Sequence, residues 1–314
     1  MSFSSRVKNE VARWKVNDFS LIIAELAGFV RMCGRIQIRS NNELSFSFFT
    51  ENAAIARRIF TFIKNYYTEN VTVSVSKNTT LKRNNLYRIE IPESSPVKVL
   101  LDDVRFVRDE NVFIPVYPLD RSLISSLEER KAYIRGSFLG SGSISNPEKS
   151  YHLEFNTEYE DHAKDLSEII NSFGLQSKVS FRKEKYIVYL KEGEQISDML
   201  SLIGSYQGVL KFEDIRIFKD MRNHVNRQVN CETANLSKTV NASMRQAANI
   251  KFIEEYMGLE ELPTSLYEVA ILRLEHPDAS LKEIGELLDP PLGKSGINHR
   301  LKKIEEIAIQ LRGE

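Results

Sequence analysis

Residues 291–303, PLGKSGINHRLKK, hold Lys294, Arg300, Lys302, Lys303 and His299 without a single acid. A run of this kind offers cations to phosphate oxygens, and Ser295, Asn298 and His299 add hydrogen-bonding groups of the type that read base edges. A sparser basic stretch covers residues 221–253, where Arg222, Arg227, Lys238, Arg245 and Lys251 stand against one acid, Glu232. The chain of 314 residues is formally neutral, with 43 Lys+Arg against 43 Asp+Glu, so any nucleic-acid chemistry lies in local runs and not in net charge. The two cysteines, Cys33 and Cys231, have no CxxC or Cys/His spacing, which argues against a metal site or a covalent nucleophile. Buried, unreactive thiols are the expectation for both. No segment approaches the roughly 20 apolar residues of a bilayer span, and the opening MSFSSRVKNEVARWK lacks the apolar core of a signal peptide. The cytoplasm is the default compartment.

The basic run needs a helix to present it. From about Lys294 the apolar residues Ile297, Leu301, Ile304 and Ile307 or Ala308 recur at helical spacing and leave Lys294, Ser295, Asn298, His299, Lys302 and Lys303 on other faces. Two helices are expected before it. Ser265 and Glu268 have capping-box spacing after Pro263. Ser280 and Glu283 repeat that spacing ahead of a stripe formed by Leu281, Ile284, Leu287 and Leu288. Three such helices suit a helix-turn-helix, with Lys294, Ser295, Asn298 and His299 directed at base edges or phosphates and Arg300, Lys302 and Lys303 at the backbone. The turn through DPPLGKSG is longer than usual for that motif.

Upstream, one pattern occurs twice. LAGFVRMCG ends a helical stretch at Gly34, a residue suited to a left-handed exit; strands around Asn41-Asn42 follow, with Ile36 and Ile38, then Leu44, Phe46 and Phe48, alternating with polar residues. A helix is expected after Thr50, then strands VTVSVS and LYRIEI around a polar turn at Asn84-Asn85. IRGSFLGSG, YHLEFNT, a helix opened by a Thr157/Glu160 capping box and the hairpin KVSFRKEKYIVYL repeat this order. Gly28 corresponds to Gly136, Gly34 to Gly142, Thr50 to Thr157, Ile59 to Leu166 and Phe62 to Ile169. Ala27, Gly28, Gly136 and Gly140 let two helices approach along a pseudo-two-fold axis.

The repeat resembles the LAGLIDADG homing endonucleases, through Leu26, Ala27, Gly28 and Gly34 in one copy and Gly136 and Gly142 in the other. The resemblance implies a metal-binding acid before each final glycine; here those positions are Cys33 and Ser141, and the earlier acidic positions are Arg31 and Leu139. No catalytic residue, metal or other cofactor is therefore expected. The whole chain further resembles the WhiA-type sporulation and cell-division regulators, most specifically in NRQVNCETANLSKTVNAS and SLKEIGELLDPPLGKSGINHRLKKIEEIA. That resemblance implies promoter binding on double-stranded DNA, roles in cell division and chromosome segregation, a nucleoid-associated cytoplasmic location, and a transcription factor or RNA polymerase as partner. Neither a membrane nor a small-molecule substrate is expected.

The resulting expectation is an α+β fold: a duplicated LAGLIDADG homing-endonuclease-like αββαββα domain followed by an all-α helix-turn-helix domain. The expected boundaries are 1–119 and 120–220 for the repeats, 221–261 for a basic, partly helical linker and 262–314 for the helical domain, its motif at about 280–308. Two readings of the duplicated domain stay open. Arg35, Arg39, Lys178 and Arg182 would line a DNA-binding saddle interrupted by Glu43 and Glu154; otherwise the paired helices are only a domain interface. Arg227 and Lys238 are further candidate DNA contacts, with Asn226, Asn230 and Asn235 beside them. The rival functions are a surviving endonuclease using Glu25 or Glu43, and a protein-interaction scaffold.

Overall fold

The computed structural model describes residues 1–38, 43–77, 85–107 and 115–313, which divide into two compact units, Met1–Lys219 and Asp220–Glu314. In the first unit, α1 (Phe3–Val11) precedes two copies of the expected order. The first copy runs α2 (Phe19–Cys33), β1 (Gly34–Ile38), β2 (Leu44–Thr50), α3 (Ala53–Tyr66), β3 (Thr72–Lys77), β4 (Asn85–Ile91) and α4 (Ser94–Asp103). The second runs α5 (Leu127–Ser141), β5 (Ser143–Ile144), β6 (Leu153–Thr157), α6 (Glu160–Asn171), β7 (Lys178–Arg182), β8 (Lys185–Leu190) and α7 (Gly193–Leu202). Both sheets are antiparallel and share one topology, β1-β2-β4-β3 and β5-β6-β8-β7.

Alternation dictates the buried face of each sheet: Phe46, Phe48, Ile89 and Ile91 in one, Leu153, Phe155, Val188 and Leu190 in the other, all within the core. The expected turn residues Asn41, Asn42 and Asn84 lie outside the described residues, as does Arg39. The β7–β8 turn is described, and Lys183 and Glu184 adopt φ of 50° and 60°, the left-handed values a two-residue hairpin requires.

α2 and α5 pack backbone against backbone. A Cβ built on Gly28 would lie 2.6 Å from the Ser137 amide nitrogen, and one on Gly136 only 2.1 Å from the Glu25 carbonyl oxygen. The left-handed exit expected at Gly34 does not form. Gly34 and Gly142 leave their helices in extended conformation, with φ of −85° and −65°. They are pressed instead against Phe46 and Phe138, whose ring atoms would lie 2.4 and 2.3 Å from an added Cβ.

Two helix starts also differ. Thr50 remains in β2, and Asn52 caps α3 by accepting from the Ala54 and Ile55 amides. The Thr157/Glu160 box does not form; α6 starts without a side-chain cap, because Thr157 Oγ1 lies 3.0 Å from His162 Nδ1. The other ring nitrogen of His162 is 2.7 Å from the Tyr133 hydroxyl, so this buried imidazole ties α6 to β6 and α5. Burial, reinforced by the nearby Arg31 charge, lowers the His162 pKa to about 3. An unfolded chain takes up this proton near the ordinary histidine value, so stability is complete above about pH 6.5 and declines as pH falls from there toward 3. At about 1.4 kcal/mol per unit, wild type is expected to lose about 2 kcal/mol more than His162→Gln between pH 7 and pH 5, measured by urea unfolding. Equal losses would remove His162 from the acid sensitivity.

The segment 221–261, expected to be partly helical, continues α8 (Tyr206–Tyr256) without a break to Tyr256. Its last turns contribute Ile250 and Ile253 to the core of the second unit. α9 (Thr264–Glu275) begins after Pro263 with no side-chain cap, so the Ser265/Glu268 box is absent. α10 (Leu281–Glu286) does carry the full Ser280/Glu283 box, whose backbone and hydroxyl donors hold the Glu283 carboxyl below its ordinary range. Leu287, placed in the stripe, is exposed, while Ile284 and Leu288 are buried. Arg273, almost wholly buried, donates through Nη1 to the carbonyls of Pro277 and Ala279 and to Ser243 Oγ, fixing the α9–α10 turn against α8.

Candidate nucleic-acid interface

α11 (Lys294–Arg312) inserts Ile297, Leu301, Ile304 and Ala308 into the second core. This fixes its rotation, and Lys294, Ser295, Asn298, His299, Lys302 and Lys303 are all exposed. Steps of four place Lys294, Asn298 and Lys302 in one row and Ser295, His299 and Lys303 in the next, so six of the seven candidates share one open face. Arg300 stands apart: it is half-buried, and Nη1 donates to the Ser265 carbonyl at 3.2 Å, bracing α11 on the first turn of α9. The helix starts at Gly293 without a side-chain cap, so its first amides present positive partial charge beside Lys294. Phosphate chemistry suits that combination.

Arg227 and Lys238 are exposed on α8. Eleven residues are three helical turns, so both project from the same side of that helix. Asn226, Asn230 and Asn235 are also exposed there. Cys231, expected to be buried, is exposed on the same helix.

In the first unit, the candidates on the sheets are engaged to different degrees. Arg35 lies over the Phe49 ring at 5.3 Å, and Glu154 pairs with His152 and accepts from Ser143. Arg88, which the sequence did not single out, donates to Ser47 and Gln37 and pairs with Glu90 at 3.1 Å. Lys178, Arg182 and Glu43 are exposed.

A cleft of about 740 Å³ opens at the ends of α2 and α5, lined among the described residues by Cys33, Arg35, Phe49, Tyr117, Ser141, Tyr159 and Lys185, with Glu158 its only acid. Residues here do not fit the divalent cations of a LAGLIDADG endonuclease. Burial pushes the Cys33 thiol up to about 12, so it stays protonated, and the Ser141 hydroxyl donates to the Met32 sulfur at 3.0 Å. Arg31, at an earlier acidic position, is buried and donates to the carbonyls of Ala27, Val104, Arg105, Tyr117 and Pro118, pinning the inter-repeat segment onto α2. Burial lowers its pKa.

Three family models match consecutive parts of the chain: the WhiA N-terminal LAGLIDADG-like domain over residues 20–107, the WhiA LAGLIDADG-like domain over 130–222 and the WhiA C-terminal HTH domain over 225–308. The probable cell division protein WhiA of Clostridium acetobutylicum is 50% identical over 100% of this chain and 99% of its own length. The chain belongs to the WhiA family. A second WhiA relative, from Clostridium botulinum, is 52% identical over 99% of both chains. The crystal structure of full-length WhiA from Thermatoga maritima aligns over 99% of both chains at 26% identity, with a TM-score of 0.58. These matches take in α2 to α7 in the two LAGLIDADG-like domains and α9 to α11 in the HTH domain.

Proposed function

We propose that this WhiA-family chain is a non-enzymatic, sequence-specific DNA-binding regulator of transcription, acting in cell division, chromosome segregation and sporulation programmes. The naming of its relatives as probable cell division proteins supports the process, and the HTH family match supports the binding mode. The observation that carries the reading is the open face of α11, where Lys294, Ser295, Asn298, His299, Lys302 and Lys303 are exposed while the opposite stripe locks the helix in place. In this reading α11 enters the major groove of promoter DNA, and Asn298 and His299 read base edges. Lys302, Lys303 and the uncapped N-terminus at Lys294 hold phosphates. Arg227 and Lys238 of α8 add backbone contacts, as do Arg35 and Arg39 in the first unit. A transcription factor or RNA polymerase is the protein partner, and the nucleoid the site of action. Among the described residues, no helix is long and apolar enough to cross a membrane.

Fluorescence anisotropy on a promoter fragment recovered by crosslinking to the protein, and on a scrambled fragment, tests this assignment across a salt series. Lys302→Ala/Lys303→Ala is expected to weaken both fragments alike and to flatten the slope of log affinity against log salt by about 1.8. Asn298→Ala/His299→Ala is expected to shrink the preference for the promoter by about 1–3 kcal/mol per base pair read, leaving the slope nearly unchanged. Unchanged binding in both variants would remove α11 from the interface.

A further inference from the structure

Arg227 and Lys238 share their side of α8 with four asparagines. At about 100° per residue, Asn223, Asn226, Asn230 and Asn241 fall with the two cations inside roughly a third of the helix circumference. Between residues 223 and 241 this sector holds neither an acid nor a large apolar residue. Glu232 lies on the opposite side, where Gln228 Nε2 holds it at 3.1 Å. All four asparagines are exposed, and among the described residues none has a hydrogen-bond partner for its side-chain amide. Asparagine forms helix less readily than alanine, glutamate or lysine, so four of them on one solvent-facing side weaken α8 without any internal bond to offset the loss.

The chemistry of the face selects duplex DNA as its ligand. An asparagine amide sets one donor beside one acceptor, the pattern complementary to adenine N7 and N6 in the major groove. Arg227 and Lys238 stand about 16 Å apart along the helix axis, enough to reach the phosphate rims of a groove about 12 Å wide. Asn230 and Ala234 lie between them, and the small alanine side chain lets the middle of the helix settle close to the bases. A protein partner would need apolar or aromatic anchors, which this sector lacks. Duplex RNA presents a major groove too deep and narrow to admit a helix. Within the second unit, Arg245, one turn beyond Asn241, pairs through Nε with Glu305 of α11 at 3.2 Å, so the asparagine face leads up to the open face of α11. Asn230 lies about 22 Å along α8 from that pair, less than the roughly 34 Å of one DNA turn.

We propose that this face of α8 is a second reading helix, which takes adenine-containing base pairs in a major-groove element within about one turn of the element taken by α11. The inference rests on the assignment of α11 to DNA and extends it: the recognised site is bipartite, with Asn226 and Asn230 at base edges and Arg227 and Lys238 on the phosphates to either side.

Selection of binding sites from random duplexes by the full chain, followed by fluorescence anisotropy on the selected site, tests the proposal. Wild type is expected to select two elements. Asn226→Ala/Asn230→Ala is expected to lower the preference for one element at least about tenfold and to keep the other, which Asn298→Ala/His299→Ala abolishes in turn. No charge is removed from α8, so the salt dependence is expected to stay the same, and alanine is expected to leave helicity and melting temperature unchanged or raised. Replacing adenine by 7-deazaadenine in the α8 element is expected to weaken wild type and leave the α8 double-alanine variant unaffected. Selection of a single element untouched by the α8 alanines, or a uniform weakening on all sequences, would overturn the second reading helix and spare α11. A wild-type chain that selects no sequence would overturn both assignments together.

Discussion

Gly136→Ala is expected to cost at least about 3 kcal/mol of unfolding free energy, enough to leave the first unit largely unfolded at physiological temperature if its stability is ordinary. The added methyl would lie 2.1 Å from the Glu25 carbonyl oxygen and 2.9 Å from its carbonyl carbon. Flexible side chains can move away from such a contact; a helix backbone can yield only if the whole of α2 shifts. That shift would open the interface around Gly28, where Ser137 N and Tyr133 O lie 2.6 and 2.7 Å from the position of a Cβ. It would also pull at the core that both helices share through Leu26, Phe29, Ile134 and Phe138. Gly293→Ala is the control. It has φ of −67° and no atom within 4 Å of the added methyl, so a change within about 0.5 kcal/mol is expected there. Urea titration followed by circular dichroism measures both. A Gly136→Ala loss below about 1 kcal/mol would mean the helices are not in backbone contact in solution.

Much of this arrangement was legible in the sequence, and the failures are informative. The repeat was readable because both helices need small residues in the same places and both sheets alternate in the same phase. α11 was readable because Ile297, Leu301, Ile304 and Ala308 recur at one period beside an acid-free run. Capping boxes were read less reliably. Ser280 and Glu283 form one, but the same spacing at Thr157 and Glu160 does not, because the threonine hydroxyl is taken by the buried His162. A local motif lost to a histidine two residues beyond it, whose burial against Tyr133 no local pattern announces. The length of α8 was hidden for another reason. Many of its apolar residues, such as Val225, Val229 and Leu236, face solvent instead of a core, while its polar face is rich in asparagine, a residue of low helix propensity. Cys231 was misplaced with it, since the burial expected of a free cysteine presupposes a core beside it.

Removing Glu25 is expected to produce a loss of comparable size by an electrostatic route, about 3–5 kcal/mol for Glu25→Gln. The carboxylate is fully buried on α2, where Arg58 donates to both of its oxygens, with Nη2 at 2.6 Å from Oε2, and Arg135 lies 3.5 Å from the same oxygen. Arg58 also donates to the carbonyls of Ala12 and Trp14, and Arg135 to that of Ile203, with its guanidinium 4.4 Å from the centre of the Trp14 ring. Glu25 thus neutralises two buried cations drawn from different elements, and its loss leaves both in a low-dielectric interior. Burial already lowers the Arg135 pKa despite this partner. Arg58→Met in the Glu25→Gln background is expected to cost less than the two single changes summed, a coupling that a double-mutant cycle by urea unfolding measures. The same residue was, with Glu43, one of the two carboxylates through which a surviving metal-dependent nuclease was to act. A carboxylate saturated by guanidinium donors has no lone pair directed toward an incoming cation, so magnesium is expected to leave the wild-type melting temperature unchanged. A magnesium-dependent rise in that temperature, abolished by Glu25→Gln, would show that the ion pair opens to bind metal and would reinstate the nuclease reading.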